Sequence, residues 1–465
     1  MTRAGTPSGS DYHAALAALE ARGRFGIRLG LGRTRALLHA LGDSQLAVRG
    51  ALVAGTNGKG SVIALAGSAL RAAGHKVGET PKPHLVSYRE RIVVDGQPIG
   101  AEDFTRHVQA VLAVADRVAR RHGEPTEFEL LTAVVFRHFA EVRPDVALVE
   151  VGLGGRLDAT HAWDGGVAAI TNVDLDHTDR LGPTVTAIAH EKAAIIERGD
   201  RAVTGANGDA LKVIRRRAQR MGVPLVEVGP APILASDGDG IRVELPGLGP
   251  VAVGLRGRHQ ASNVAVADAI LDALDAAGIA RTGPDARLHG YATARWPGRL
   301  ELLDVSGGGR VLLDGAHNPA GAAALADALA DICPPSEGDP GNRGAAGAGR
   351  LTLVMAVMAD KDVGGIVDTL AASPALRGAA VIATTLPDLP RALPAADLAA
   401  AWRSSAPPST ALGHVEAVDD PLRALERAAE LAGDAGCTVV AGSLYLVGLV
   451  RAHLIDDPDL RDPAP

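Results

Sequence analysis

Aromatic residues are scarce: 3 Trp, 4 Tyr and 5 Phe make up 3% of the 465 residues. Base-stacking surfaces and aromatic cation cages therefore have little material, and the core must be aliphatic. Cysteine is scarcer still. Cys333 and Cys437 stand in no metal-ligand spacing, which excludes a disulfide framework or a zinc ribbon and makes a reducing cytoplasm the expected location. Long apolar runs are also missing. The polar stretch Met1–Tyr12 has no signal-peptide core, and Leu444–Val450 falls far short of a membrane span, so a soluble chain with no membrane partner is expected. There is no basic excess either. The 47 basic against 54 acidic side chains give −7, which argues against nonspecific nucleic-acid binding while allowing a local basic pocket. Within that basic set lysine is rare: 41 arginines accompany only Lys59, Lys76, Lys82, Lys192, Lys212 and Lys361. A lysine kept against this bias points to a need for a compact amine.

What is present is a chain of two-domain length with 47% hydrophobic residues, 22% charged residues and 56 glycines, a globular composition. Short aliphatic runs alternate with alanine-rich helical stretches, the pattern of an α/β, doubly wound parallel sheet. Strands are expected at Ala51–Ala54, Val146–Val151, Val167–Thr171, Leu225–Val228, Val311–Asp314, Leu351–Ala356, Ala380–Ala383 and Thr438–Ala441. Helices are expected at Ser61–Ala73, Thr184–Arg198, Ala261–Ala277, Ala320–Ile332 and Leu422–Ala432. Gly238–Gly254 reads as a small β excursion, Arg295–Gly298 as a domain seam, Pro334–Gly349 as a surface loop and Asp456–Pro465 as a frayed tail.

Ala51–Ala54 runs into Gly55-Thr56-Asn57-Gly58-Lys59-Gly60-Ser61 and then a helix, the context a phosphate needs. Glycines turn backbone N–H groups toward the anion, the helix N-terminus adds positive charge, Lys59 can reach terminal phosphates and Ser61 offers a hydroxyl to Mg²⁺. Gly60 separates Lys59 from Ser61, so the loop departs from the strict P-loop pattern. Glu150 ends another strand, and Asp174, Asp176 and His177 follow the next, at the strand ends where parallel sheets collect ligands. So sparse a donor set suits an ATP-bound Mg²⁺. Glu191-Lys192 reads as an exposed ion pair, and His259-Gln260 with Asn263 as helix capping.

Taken in order, Gly55–Ser61, Pro83-His84-Leu85, Glu90-Arg91-Ile92, Thr126–Glu129, Glu150–Thr160, Asp176-His177, Glu191–Ala193, His259–Asn263, Pro297–Glu301, Asp314–Pro319, Asp360–Asp362 and Gly442–Leu444 resemble the folylpolyglutamate synthase/dihydrofolate synthase family of the Mur ligase superfamily. The resemblance implies a P-loop parallel-sheet ATP-binding domain over residues 1–296 and a smaller Rossmann-like C-terminal domain over 297–465. It implies a monomer that uses ATP and Mg²⁺ to join L-glutamate to a pteroate or folate carboxylate through an acyl phosphate. By position, Asn57, Gly58, Lys59, Gly60, Ser61, Asn263, Arg299 and Asp314 would hold ATP. Glu150 and His177 would hold Mg²⁺, with Lys192, if carbamylated, serving a second ion. Thr126, Glu127, Phe128, Glu129, Leu157, Asp158 and Ala159 would line the pterin site. Lys59, Lys192 and His317 would serve catalysis, and Ser443 is a further candidate on the glutamate side.

Three departures stand out. Lys82 replaces the family's serine before Pro-His-Leu, a serine that helps coordinate Mg²⁺. Either the Lys82 ammonium occupies or adjoins that metal site, or Thr80 supplies the hydroxyl and Lys82 points to solvent. His161 and Gly32 also differ from common residues, and all three changes are expected around substrate and metal. They leave open a paralogue joining a different carboxylic acid to an amine, and, in another class, a noncatalytic nucleotide-binding protein.

Overall fold

The computed structural model describes residues 9–23, 28–305, 309–332, 350–387, 389–405, 413–455 and 461–462. The expected loop Pro334–Gly349 lies outside them, as does the tail apart from Arg461 and Asp462.

The first sheet has eight strands: β1 Gly50–Ala54, β2 Val77–Thr80, β3 Val93–Val94, β4 Gln97–Pro98, β5 Val146–Glu150, β6 Gly166–Ile170, β7 Arg201–Thr204 and β8 Leu225–Glu227. Their order is β4-β3-β2-β5-β1-β6-β7-β8, antiparallel only where β3 pairs with β2 and β4. β1 and β5 are buried along their whole length because helices cover both faces. Alternate residues feed two cores: Leu52, Ala147 and Val149 pack on one side with the helices Ala101–His122 and Glu127–Val142. Ala51, Val53 and Leu148 pack on the other with Lys59–Ala72 and Gln260–Ala276.

A three-stranded antiparallel sheet follows, β9 Ile233–Asp237, β10 Gly240–Leu245 and β11 Gly249–Val253, so the expected β excursion begins earlier than its Gly and Pro signals suggest. The third sheet holds β12 Glu301–Asp304, β13 Arg310–Leu313, β14 Leu351–Met355, β15 Ala380–Ala383, β16 His414–Ala417 and β17 Cys437–Ala441, in the order β12-β13-β17-β14-β15-β16. Only β12 is antiparallel to its neighbour.

The helix expected over Thr184–Arg198 stops at Ala193. Beyond it Ile195 and Ile196 donate to the carbonyls of Lys192 and Ala193, three residues back, in tightened turns that bury both isoleucines. β2 went unanticipated because Gly78 and Glu79 break its apolar run; Glu79 is buried there against Arg71 at 2.5 Å. Among the described residues no helix is long and apolar enough to cross a membrane.

Candidate active site

Because β2, β5, β1 and β6 are consecutive in the sheet and parallel, their C-terminal ends deliver Lys82, Glu150, the loop Gly55–Gly58 and the segment Asp174–His177 to one edge. Residues from the third sheet close the other side of a cavity of about 870 Å³. Every residue to which the family resemblance assigns a nucleotide, metal, catalytic or pterin-site role lines this space, except Ser443, and so do three of the six lysines, Lys59, Lys82 and Lys192.

The phosphate loop is held open from behind. Asn57 N–H donates to Asn172 Oδ1 at 2.8 Å, Thr171 Oγ1 donates to the Asn57 carbonyl at 2.6 Å, and Thr56 Oγ1 bridges to the Asp174 backbone. Gly58 has φ +81°, and a Cβ there would lie 2.3 Å from Asn263 Oδ1, so only glycine fits the turn. A Cβ on Gly60 would meet the Trp296 ring at 2.4 Å. Lys59 Nζ folds back onto the carbonyls of Gly55 and Thr56, both at 3.1 Å.

Glu150 is 3% exposed, and burial raises its pKa against the pull of Lys59 and Lys82. Its Oε2 accepts the Lys82 backbone N–H at 2.9 Å, while Oε1 faces Lys59 Nζ at 4.0 Å. The Lys82 ammonium donates to the Glu150 backbone carbonyl at 2.5 Å and lies 4.7 Å from the Phe128 ring centroid. Burial lowers its pKa to about 8, opposed by Asp158 and Glu150. Lys82 thus turns into the cavity, which overturns the reading that sends it to solvent. Thr80 is 1% exposed, its hydroxyl accepts the Glu150 N–H at 3.2 Å, and it does not line the cavity. His177 has φ +50° and a half-exposed ring, with its Nε2 3.8 Å from Asp176 Oδ2; burial lowers its pKa. Among the described residues no group of three His, Cys, Asp or Glu is placed to hold a metal. Glu150 and the half-exposed His177 ring both line the cavity, a sparse donor set of the kind that suits a divalent ion carrying phosphate and water ligands.

Lys192 departs from the exposed-ion-pair reading of its local sequence and lines the cavity. Glu191 turns outward to pair with Arg156 at 2.9 Å, so the Glu191–Lys192 surface pair does not exist. Lys192 points inward, 4% exposed, and its Nζ donates to the Gly55 carbonyl at 2.8 Å. Desolvation, then the charge of Lys59, lowers its pKa to about 7.

On the opposite wall Thr126 and Glu129 form a capping box: Thr126 Oγ1 accepts the Glu129 N–H at 3.3 Å and Glu129 Oε2 the Thr126 N–H at 2.7 Å. Glu129 also pairs with Arg33 at 2.9 Å. Asp158 accepts from Leu153 N–H and Thr160 N–H, so both its oxygens brace the Leu157–Ala159 loop. Glu127 accepts from the Tyr88 hydroxyl at 2.8 Å. Phe128 carries no such duty and presents its ring.

From the third sheet, Asp314 follows β13 and takes the N–H groups of Leu300 and Ala316 at 2.9 Å each, beside Arg299. His317 Nδ1 lies 2.7 Å from the Gly315 carbonyl; as that oxygen only accepts, Nδ1 carries the proton and Nε2 is left as an acceptor. Burial lowers the His317 pKa, which keeps the ring neutral. Asn263 donates to Gln260 Oε1 at 2.8 Å, and His259 lines the cavity without a side-chain capping bond. Ser443 caps the helix Leu444–Leu454 through Tyr445 N–H and stays outside the cavity lining; its neighbour Leu444 lines it instead.

Two departures lie outside the cavity lining, each two residues from a residue that lines it, Ala159 and Gly30. His161 packs against Glu197 at 3.1 Å, and Gly32 begins an exposed helical turn. Sequence reasoning gave no role to several cavity residues, among them Arg91, Asn172, Ser262 and Trp296, the last read only as part of a seam. The signal for Trp296 was its rarity: one of three tryptophans in an aromatic-poor chain.

Residues 53–271 match the Mur ligase middle domain and residues 298–444 the Mur ligase glutamate ligase domain. The dihydrofolate synthase/folylpolyglutamate synthase of Bacillus subtilis is 32% identical, covering 95% of this chain and 99% of its own length. That of Mycobacterium tuberculosis is 36% identical over 92% of this chain and 90% of its own. Folylpolyglutamate synthase of Mycobacterium tuberculosis, solved with ADP and AMPPCP, superposes with a TM-score of 0.82 at 32% identity, covering 96% of this chain and all of that one. With both Mur ligase domains matched and relatives more than 30% identical along nearly their whole length, the chain belongs to the folylpolyglutamate synthase/dihydrofolate synthase family of Mur ligases.

Proposed function

We propose that this protein is an ATP- and Mg²⁺-dependent ligase that adds L-glutamate to a pteroate or folate carboxylate. The observation that carries the reading is a single cavity lined by the phosphate loop, the buried Lys192, the Phe128 wall, and Arg299, Asp314 and His317 from the third sheet. A carboxylate is a poor electrophile because it lacks a leaving group. Transfer of the ATP γ-phosphoryl to one carboxylate oxygen supplies one; the glutamate amine then attacks the carbonyl carbon, and phosphate departs with that oxygen.

Each side chain has a part in this account. The backbone N–H groups of Asn57–Gly60 and the start of the helix Lys59–Ala72 receive the triphosphate. Lys59 leaves its loop carbonyls to reach the terminal phosphates, and Ser61 stands one residue beyond Gly60. Asn263 holds the nucleotide from beside the phosphate loop, and Arg299 and Asp314 from the far side. Glu150 and His177 would hold the Mg²⁺ that arrives with ATP, an ion that neutralises phosphate charge when bound. Lys192, whose buried amine has its pKa lowered to about 7, would take a carbamate and so offer a carboxylate-like donor to a second ion. His317 Nε2 takes a proton from the incoming ammonium. Thr126–Glu129 and Leu157–Ala159 frame the acid, with Phe128 as its flat face. The reading also includes two domains meeting at 296/297, a monomer and a cytoplasmic setting.

The test is to incubate the purified protein with ATP, Mg²⁺ and L-glutamate, presenting dihydropteroate and tetrahydrofolate separately, and to follow ADP release and glutamyl addition by mass spectrometry. Product from either acid supports the reading. ADP release only with an unrelated acid would favour the paralogue with a different substrate, and AMPPCP binding without ADP release from any acid would favour a noncatalytic protein.

A further inference from the structure

Lys192 stands in the last turn of a nine-residue helix, Val185–Ala193, the part of a helix that frays most readily, yet its side chain is buried. The start of that helix is closed by its own sequence: Thr184 Oγ1 accepts the Ala187 N–H at 3.2 Å. The end is not. Ala194 follows in a right-handed helical conformation, with no left-handed glycine to turn the chain back onto the last carbonyls. Two arginines from other elements reach those carbonyls instead. Arg217, from the helix Gly208–Met221, donates Nε to the Ile196 carbonyl at 2.9 Å and Nη2 to the Ala194 carbonyl at 3.1 Å. Arg156, from the loop that leads into Leu157–Ala159, donates its backbone N–H to the Glu191 carbonyl at 2.9 Å. Its Nε and Nη2 both meet Glu191 Oε1, at 3.0 and 2.9 Å. Beside this grip the two backbones touch: a Cβ on Gly155 would lie 2.8 Å from the Glu191 carbonyl oxygen and 3.2 Å from Lys192 Cα.

Neither arginine lines the cavity, so neither touches the reacting groups. The Arg156 side chain is largely exposed, and its ion pair with Glu191 adds little stability by itself. Its effect is on position. On the cavity side the Lys192 amine is tied to the Gly55 carbonyl at the end of a long flexible stem. The place of its Cα is therefore set from outside, by whatever holds the turn. Both guanidinium groups also stand at the C-terminal end of the helix, where its dipole favours a cation.

We propose that Arg217 and Arg156 are positioning residues for Lys192: together they clamp the turn that carries it and so fix where its nitrogen stands against the phosphate loop. Arg156 also joins that turn to the Leu157–Ala159 loop, so the acid side of the cavity and the phosphate side are held in register through one turn of helix. The part of Lys192 in turnover rests on the ligase reading, whereas the clamp itself can be read without turnover.

The experiment compares the wild type with Arg217→Met, Arg217→Lys and Arg156→Met in two ways: backbone amide exchange over residues 185–197 in the protein alone, read by mass spectrometry, and kcat and KM with ATP, L-glutamate and the acid. Arg217→Met is expected to speed exchange at the Lys192 turn roughly tenfold while β1 and β5 exchange as in the wild type. Its kcat should fall roughly tenfold, the scale of a misplaced catalytic group, with AMPPCP affinity and the KM for ATP within about threefold of the wild type. Arg217→Lys keeps a charged donor and returns part of both. Arg156→Met keeps the backbone bond to Glu191 and shows both effects more weakly; with Arg217→Lys it carries the test if Arg217→Met does not fold. Unchanged exchange in the Met variants overturns the clamp, and faster exchange with kcat intact overturns the positioning role. A loss of AMPPCP affinity as large as the loss of kcat also overturns it, by placing the damage in the phosphate loop. Faster exchange in the variants of a protein that turns over neither dihydropteroate nor tetrahydrofolate supports the clamp and overturns the ligase reading, which separates the two failures.

Discussion

Lys192 Nζ donates to the carbonyl of Gly55 at 2.8 Å, tying a buried amine from one helix to the first residue of the phosphate loop. Because the amine is desolvated, it loses its proton near pH 7 and not near 10.5, and a neutral amine is the form that reacts with CO₂. A carbamate on Lys192 is therefore expected to be present at pH 8 and largely absent at pH 6. Carbon-13 NMR of protein equilibrated with labelled bicarbonate checks this, with Lys192→Arg as the blank.

The same shift has a stability consequence. A lysine whose folded pKa is about 7 against 10.5 unfolded binds fewer protons in the folded state between those values, so stability rises with pH across that window. Lys192→Met removes the desolvated charge. Its thermal midpoint at pH 7 should be no lower than that of the wild type, while turnover falls by roughly 100-fold or more. A large loss of stability at pH 7 would contradict this.

Gly58→Ala places a methyl group 2.3 Å from Asn263 Oδ1 at a residue with φ +81°. The expected result is a stability loss of about 1–2 kcal/mol and a loss of AMPPCP affinity by roughly tenfold, read by thermal melting and calorimetry. Asn263→Ala in the same background removes the clash and should return part of the stability but not the affinity.

Glu150→Gln keeps the hydrogen bond to the Lys82 N–H but removes the carboxylate. The variant should fold, bind AMPPCP without metal as the wild type does, and need roughly tenfold more Mg²⁺ for half-maximal turnover. An unchanged Mg²⁺ midpoint would remove Glu150 from the metal's surroundings.

The sheets were readable because strands buried on both faces are continuous aliphatic runs. Ala380–Ala383 lies where the pattern puts it, and β1 and β17 differ from expectation by one residue at the start. The phosphate loop was readable because its glycines, lysine and helix coincide. The exposed-pair reading of Glu191-Lys192 fails because adjacent helical residues differ by about 100° in direction, so local sequence cannot say which of the two faces inward; the resemblance, not the local pattern, put Lys192 at the site. Thr126, Glu129 and Asp158 look alike in sequence whether they touch a ligand or brace a turn; here their hydrogen bonds brace turns. His161 and Gly32 attracted notice by departing from a family pattern, yet they lie outside the cavity lining, whereas Lys82 lines it. Trp296 gains its place only when the chain closes it over Gly60, a contact between residues far apart in sequence.

The most direct test of the account is one turnover experiment on an acid whose carboxylate carries heavy oxygen, with ATP, Mg²⁺ and L-glutamate, reading both product and phosphate by mass spectrometry. The account predicts ADP, an acid extended by one glutamyl unit in an amide, and phosphate carrying one heavy oxygen from the acid. Unlabelled phosphate alongside product would contradict the acyl-phosphate route, and labelled acid recovered unchanged by folded, nucleotide-binding protein would contradict the ligase itself.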